Sequence, residues 1–228
     1  MGNVLILAEH AGGNLKKATL SAIAFGNQMA EKIGGAEVHV LAIGSGLDGV
    51  ADQVKGSGVK AVHIADHEGL AHYQNECYAP VVEKVADAIG AEVIAAAAST
   101  MAKDLLPKVA CIKGAVMISE ALAVVSANSF KRPMWAGNAV ATVEVSSDIK
   151  VATIRATEFD PVSTDGAAAE VVKVEVSLPG ELKCQFDKFD AVVSERPDLT
   201  EADVVVSGGR GVKGEDGIKL IEGLADKF

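Results

Sequence analysis

Aromatic side chains are scarce in this chain: six Phe, two Tyr and a single Trp make up 4% of 228 residues. With hydrophobic residues at 49%, the core must therefore be built mainly from Val, Ile, Leu and Ala. Cysteine is nearly absent as well. Cys77, Cys111 and Cys184 are widely spaced and include no Cys-x-x-Cys pair. An odd, scattered set of this kind fits buried, reduced thiols in a cytosolic-type compartment and not a disulfide framework. No apolar run approaches the ~18 residues needed to span a bilayer. The amino terminus, MGNVLILAEH, goes straight into a strand-like run with no basic region and no cleavage site, so no secretory signal is visible. Ile6 stands where a myristoylation motif following Gly2 wants Ser or Thr. Cations are the minority charge, 21 Lys and Arg against 31 Asp and Glu, for a formal net charge of −10. That sign argues against a general nucleic-acid surface or an acidic-membrane surface. The remaining class is a compact soluble α/β protein, long enough for one large domain or one domain plus a fragment.

The first two-thirds alternates strand and helix signals. Asn3 to Glu9 is a continuous apolar run, the pattern of a strand covered on both faces. Leu15, Ala18, Ala22, Phe25, Met29 and Ile33 then recur at steps of three and four, which places them on one helical stripe, with Asn14 as N-cap and Gly34-Gly35 as the stop. Ala36 to Gly44 and Lys60 to Asp66 read as the second and third strands. A helix from about Ala79 ends at Gly90, and Glu92 to Ser99 is the fourth strand. Leu105, Leu106, Val109 and Ala110 mark the next helix, with Pro107 expected near its start. This alternation predicts a mostly parallel sheet with right-handed crossovers, flanked by helices in a Rossmann-like arrangement. From Ala115 to Val176 β-branched residues dominate and predict an antiparallel β extension. Within it, AVATVEVSS and KVATIRAT are expected to form a hairpin about Ser147-Asp148. Charge, Pro197 and turn formers then predict a boundary between an α/β domain of residues 1–196 and a strand-turn-helix fragment of residues 197–228.

That fragment carries the sharpest motif. Gly209, Gly211 and Gly214 spell G-x-G-x-x-G after an apolar run and before an amphipathic helix. Such a turn allows close backbone approach, and a helix N-terminus offers free N–H groups to an anion. The match alone is weak, because no strand follows to carry the acidic partner expected ~20 residues on. A P-loop is excluded, since Lys213 is followed by Gly214 and Glu215. Two readings stay open: a cofactor turn, or a cap on a terminal strand-helix hairpin. Arg210, within the turn, is poorly placed for packing and well placed to reach an anion or stack on a planar ring.

Other candidates are plainer. His67, Glu68 and His72 look metal-like, but a spacing of five turns the second ring away on a helix, so a surface loop is expected. His39 and His63 lie inside strands, packed or hydrogen-bonded. His10, Ser99 and Thr100 follow strand ends, where α/β proteins bind ligands; Ser99 and Thr100 are read as turn and cap residues. Trp135 and Met134 suit either a core or a partner contact.

Several stretches together resemble one family. VLILAEHAGGNL (from Val4), KDLLPKVA (Lys103 to Ala110), KRPMWAGNAVATV (Lys131 to Val143), IRATEFDP (Ile154 to Pro161) and SERPDLTEADVVVSGGRGVKG (Ser194 to Gly214) resemble, in order, the α subunit of electron transfer flavoprotein. The chain departs from that pattern at Ala102, where the family more often has Gly in the loop after the fourth strand. The resemblance implies an adenine-nucleotide-hydrolase-like α/β domain followed by a domain that holds FAD. It also implies a heterodimer with a β subunit, which commonly carries AMP. Such a complex is an electron carrier and not an enzyme, taking electrons from acyl-CoA dehydrogenases to a membrane quinone oxidoreductase. It would reside in the cytoplasm, or in the mitochondrial matrix of a eukaryote. Arg210 is the residue implied to contact the flavin, with Gly209 and Gly211 shaping the approach. Most of the family's FAD domain is expected to lie beyond Phe228, so weak or absent FAD binding is expected of this chain alone, which would act as a scaffold. A stand-alone adenine-nucleotide-binding module using the ends near His10 and Ser99 is the alternative. No nucleic acid and no membrane insertion are expected.

Overall fold

The computed structural model describes residues 2–190, 197 and 199–228. They divide into two compact units, Met1–Asp187 and Lys188–Phe228. The boundary expected after residue 196, with residues 194–196 of the linker motif, lies outside the described residues.

The first unit begins with β1 (Asn3–Ala8), a small hairpin of β2 (His10–Ala11) and β3 (Asn14–Leu15), and α1 (Lys17–Ile33). Next come β4 (Val38–Gly44), α2 (Asp48–Val54), β5 (Ala61–Asp66), α3 (Asn75–Ile89), β6 (Ala91–Ala97) and α4 (Thr100–Ile112). β7 (Val116–Ala121), β8 (Ala123–Val124), β9 (Ser129–Met134), β10 (Ala139–Glu144), β11 (Lys150–Ile154) and β12 (Glu170–Lys173) complete it. Seven strands form one parallel sheet in the order β12-β5-β4-β1-β6-β11-β7. β8, β9 and β10 form a separate antiparallel sheet. The fold class is thus the α/β arrangement expected, but the antiparallel extension is confined to β8–β10: β7, β11 and β12, expected within it, join the parallel sheet.

The interior explains the aliphatic composition. Every residue of β4 is buried, as is every residue of β1 after Asn3. These strands are central and covered on both faces, so they need no polar alternation. α1 lays Ala22, Phe25 and Met29 on one face of the sheet. It approaches closely at Gly26, where a Cβ would lie 3.1 Å from the Ile6 side chain and 3.2 Å from that of Val38. The helix stops at Gly34, whose φ of 102° is left-handed, and the Gly35 N–H returns to the Ala30 carbonyl at 2.9 Å. Three of the few rings meet on this face. Phe25 lies 6.3 Å from Phe130 and 5.6 Å, edge-on, from Phe159. The trio ties α1 to the antiparallel sheet, and losing Phe25 to Ala would cost about 3–5 kcal/mol. α3 and α4 cover the opposite face through Val82, Val85, Leu105 and Leu106.

Four local expectations are corrected. Asn14 is no N-cap: it pairs with Ala11 in the β2–β3 hairpin, and α1 starts after Lys16. Pro107 sits well inside α4 and Pro80 inside α3. Ala102 lies within α4 and not in the loop before it. The fourth correction is the largest: β10 and β11 do not form a hairpin. β10 pairs with β9, whereas β11 enters the parallel sheet between β6 and β7. All five residues of β11 are buried, while β10 alternates between exposed and half-buried positions. The two strands serve different sheets despite their similar composition.

After β12, residues 174–186 cross the domain without regular structure. Val174, Val176 and Leu182 pack on the α3 side. The Glu76 carboxylate accepts the N–H groups of Lys183 and Cys184 at 2.8 and 3.4 Å, and Phe186 stacks on His72 at 3.6 Å.

The second unit holds α5 (Glu215–Ala225). Val204–Val206 has no strand partner among the described residues.

Candidate functional site

In the second unit the turn before α5 is open. Gly209, Arg210 and Gly211 are all exposed, and Arg210 makes no hydrogen bond or ion pair with any described residue. A Cβ on Gly209 or Gly211 would meet nothing within 4 Å. The glycines that the backbone and packing require are others. Gly214 caps α5 with φ 77° and ψ −168°, a region essentially reserved for glycine. A Cβ on Gly208 would collide with Ile221 and Val212. The first and last glycines of the G-x-G-x-x-G pattern therefore have different uses: open access at one end, a backbone stop at the other. Two N–H groups of the turn are spent internally, Val212 to the Gly209 carbonyl and Lys213 to the Gly211 carbonyl, both at 3.0 Å. Glu215 and Asp216 occupy the first turn of α5. They satisfy the positive end of the helix dipole with the chain's own charge, which works against a phosphate there. The Arg210 guanidinium is the exposed cation that stands between the two open glycines.

The parallel sheet has its own ligand position. Strand order reverses between β1 and β6, and ligands of open α/β sheets bind at the carboxyl ends on either side of such a reversal. Here the chain fills it. Glu9, directly after β1, is 7% exposed, and its carboxylate accepts a hydrogen bond from the Ser99 hydroxyl. Ser99 in turn caps α4, its Oγ accepting the Ala102 N–H at 3.0 Å. Burial pushes the Glu9 carboxyl above its usual range, an effect opposed by the Ser99 bond and by Lys16 and His10. The Glu9 N–H donates to Thr19 Oγ1 at 3.0 Å. His10 turns away to the Ile43 carbonyl, 3.0 Å from its Nε2, where its ring leaves no room for a Cβ on Gly44. Ser99 is thus the expected cap. Glu9 was not foreseen as its partner; a carboxylate at the end of a wholly apolar strand was the available signal.

At the neighbouring end of β7, Glu120 adopts a left-handed φ of 55°. It receives Lys103 Nζ at 2.6 Å on one oxygen and Arg155 Nη2 at 3.0 Å on the other. These cations hold its carboxyl below the usual carboxylate range, with Lys103 the larger contributor despite some opposing burial. The break in alternation coincides with a register shift against β11, where the Glu120 N–H bonds Thr153 Oγ1 at 3.0 Å.

The remaining histidines are structural. His39 and His63, on adjacent strands, share a 3.0 Å hydrogen bond in the interior. His67 Nδ1 accepts the Gly69 N–H at 3.0 Å. Among the described residues, no group of three His, Cys, Asp or Glu could hold a metal ion. None of their helices is long and apolar enough to cross a membrane.

Comparison with known proteins adds to this geometry. The electron transfer flavoprotein domain matches residues 4–179. Electron transfer flavoprotein subunit alpha of Pseudomonas aeruginosa is 40% identical over 227 residues, covering 99% of this chain and 71% of that protein. The mitochondrial subunit alpha of Dictyostelium discoideum is 39% identical, with 97% of this chain and 65% of the relative covered. A probable mitochondrial subunit alpha of Caenorhabditis elegans is 38% identical, at 100% and 67% coverage. The chain thus spans between 65% and 71% of the length of these relatives.

Proposed function

Because the chain belongs to the electron transfer flavoprotein family, we propose that it is an alpha-type subunit of an electron carrier, pairing with a beta-type subunit and contributing to the holding of FAD. Electrons would come from acyl-CoA-type dehydrogenases and leave to a quinone oxidoreductase, with no substrate turned over by the chain itself. The family match over residues 4–179 supports the carrier reading. The observation that carries the flavin part is Arg210, an exposed guanidinium with no described partner, flanked by glycines with open space around them.

The fit of FAD to these residues is partial. A fixed guanidinium near a flavin ring favours its anionic reduced form, and reversible electron uptake is the chemistry FAD supplies when bound. A cofactor site, however, encloses most of its ligand. Around this turn the chain supplies the Arg210 guanidinium and an acidic helix start, with open space beside Gly209 and Gly211. The chain by itself therefore binds FAD weakly or not at all, and its parallel-sheet unit serves as a scaffold. The nucleotide-module alternative gains no support, since Glu9 and Ser99 close the strand reversal where a nucleotide would sit.

The test is a visible spectrum of the purified chain, its mass verified, alone and after co-expression with the beta-type subunit. A colourless chain that co-purifies stoichiometrically with that subunit is expected. A yellow chain, with colour lost in Arg210→Gln, would mean that a second copy completes the flavin site. Failure to co-purify would sink the subunit reading.

A further inference from the structure

The two histidines that join β4 to β5 leave one atom unanswered. His39 is 7% exposed, and its Nδ1 lies 3.0 Å from His63 Nε2, but its own Nε2 is buried without a hydrogen-bond partner. That nitrogen faces Glu37 Oε2 at 3.9 Å, too far for a hydrogen bond. Glu37 is engaged elsewhere, its other oxygen taking Lys60 Nζ at 2.8 Å. This ion pair ties the residue that enters β4 to the residue that enters β5.

Between two neutral rings one proton serves one bond, and it can sit on either nitrogen. On His39 Nδ1 it would leave a bare lone pair at Nε2, turned towards a carboxylate. On His63 Nε2 it makes His39 the acceptor and leaves an N–H at His39 Nε2, a donor of the right sign for Glu37. The second arrangement is the favoured one. A proton added from solvent then has one free nitrogen to bind, His63 Nδ1. The bonding proton moves from His63 Nε2 to His39 Nδ1, which returns His63 to neutrality. The charge now stands on His39, with its Nε2–H facing Glu37. A second proton would set two N–H groups against each other across the same 3.0 Å and place two cations side by side.

The surroundings leave few other charges to consider. Strand alternation puts both rings on the α3 side of the sheet, with Leu41 and Ala65. There α3 packs through Val82 and Val85, and the crossing segment through Val174 and Val176. Lys84 of α3 is committed to the Glu175 carbonyl at 2.7 Å. Glu37 and Lys60 are the charges that act on His39, and Glu170 of β12 acts in turn on Lys60. Burial holds both rings below the ordinary histidine range, while Glu37 raises His39 and Lys60 lowers it.

We propose that the His39–His63 pair is an acid-operated switch for the ion pair at the amino ends of β4 and β5: it takes up one proton, not two, and that proton draws the Glu37 carboxylate from Lys60 to His39 Nε2.

Long-range proton–nitrogen spectra of the nitrogen-labelled chain, followed from pH 7 to pH 4, count the protons on each ring. The pair should gain one, read as an imidazolium at His39 beside a neutral His63. The Glu37 carboxyl carbon should shift at the same midpoint. Glu37→Gln removes the attraction and should weaken proton uptake by the pair roughly tenfold. Lys60→Met removes a like charge and a rival for Glu37, and should strengthen uptake by a similar factor, roughly tenfold. The two side chains are 47% and 55% exposed, so urea midpoints at pH 7 should stay near that of the parent. A general loosening of the sheet would move both variants the same way; opposite shifts of one midpoint are the signature of the switch. Uptake of two protons together, equal midpoints in all three proteins, or unfolding before the pair takes up any proton would each overturn the proposal.

Discussion

Two helices of this chain, α4 and α5, each follow an apolar run and a short turn, yet their N-termini are finished in opposite ways. At α4 the sheet brings the end of β1 beside the end of β6, so Ser99 caps the helix and Glu9, ninety residues earlier, binds the cap. At α5 there is no such neighbour among the described residues. Gly214, Glu215 and Asp216, all local in sequence, do the work, and Arg210 remains in solvent. A helix end inside a sheet can be completed by a distant strand. One without a sheet has only its own sequence to draw on, and so keeps a side chain such as Arg210 available to an outside ligand.

Ser99→Ala is the sharpest way to break the first arrangement. It removes the α4 cap and the hydroxyl that donates to a buried carboxylate, and about 2–4 kcal/mol of stability should go with them at neutral pH. Urea unfolding measures this loss, and a midpoint equal to the parent would refute the account. The buried histidines give a second effect, also confined to the sheet. Burial lowers both His39 and His63, the latter to about 4 from an ordinary 6.5. Between those values the unfolded chain takes up protons that the folded one refuses. Stability is therefore full above pH 6.5 and falls as the pH drops towards 4, by about 2–3 kcal/mol. The double change His39→Leu with His63→Leu should flatten that window in urea midpoints compared at pH 7 and 5.

Glu9→Gln should act in the opposite direction. The folded carboxyl is raised, so its contribution is fully present below 4.5 and lost as pH rises through the folded value. The neutral amide keeps an acceptor for Ser99. It should gain stability at pH 7 and nothing at pH 4, read from the same midpoints. The smallest effect belongs to the second unit. Gly214→Ala puts a side chain into a glycine-only conformation and should cost α5 about 1 kcal/mol or somewhat more. Faster amide exchange over residues 215–225, with unchanged protection in β1 and β6, is the expected signature.

Features that depend on local pattern were legible in the sequence. The largely apolar runs of β1, β4 and β6, the α1 stripe and its glycine stop could be read directly, and with them the parallel sheet. The exposed turn carrying Arg210 was also legible, since its glycines and its cation are contiguous. What escaped depends on distance. Glu9 and Ser99 meet only because two strands end side by side. β10 and β11 look alike as alternating runs about a turn former, and only the vacancy between β6 and β7 separates them. Glu120 departs from its strand through a single left-handed residue that no periodicity marks. Trp135 could be read as core or contact, because exposure at a hairpin tip follows from where the hairpin lies and not from its composition.

The place of β11 has a consequence for the order in which the domain is made. β6 and β7 are not neighbours: the strand between them arrives later, after the whole β8–β10 ribbon has been synthesised. Until then the growing chain carries an open slot, bordered on one side by the alanine-rich edge of β6, with its backbone groups unpaired. Such non-local pairing is slow and leaves strand edges open to other chains in the meantime. Folding of this unit on the ribosome should thus be gated by the emergence of residues 150–154, and chains interrupted shortly before that point should be the ones that aggregate.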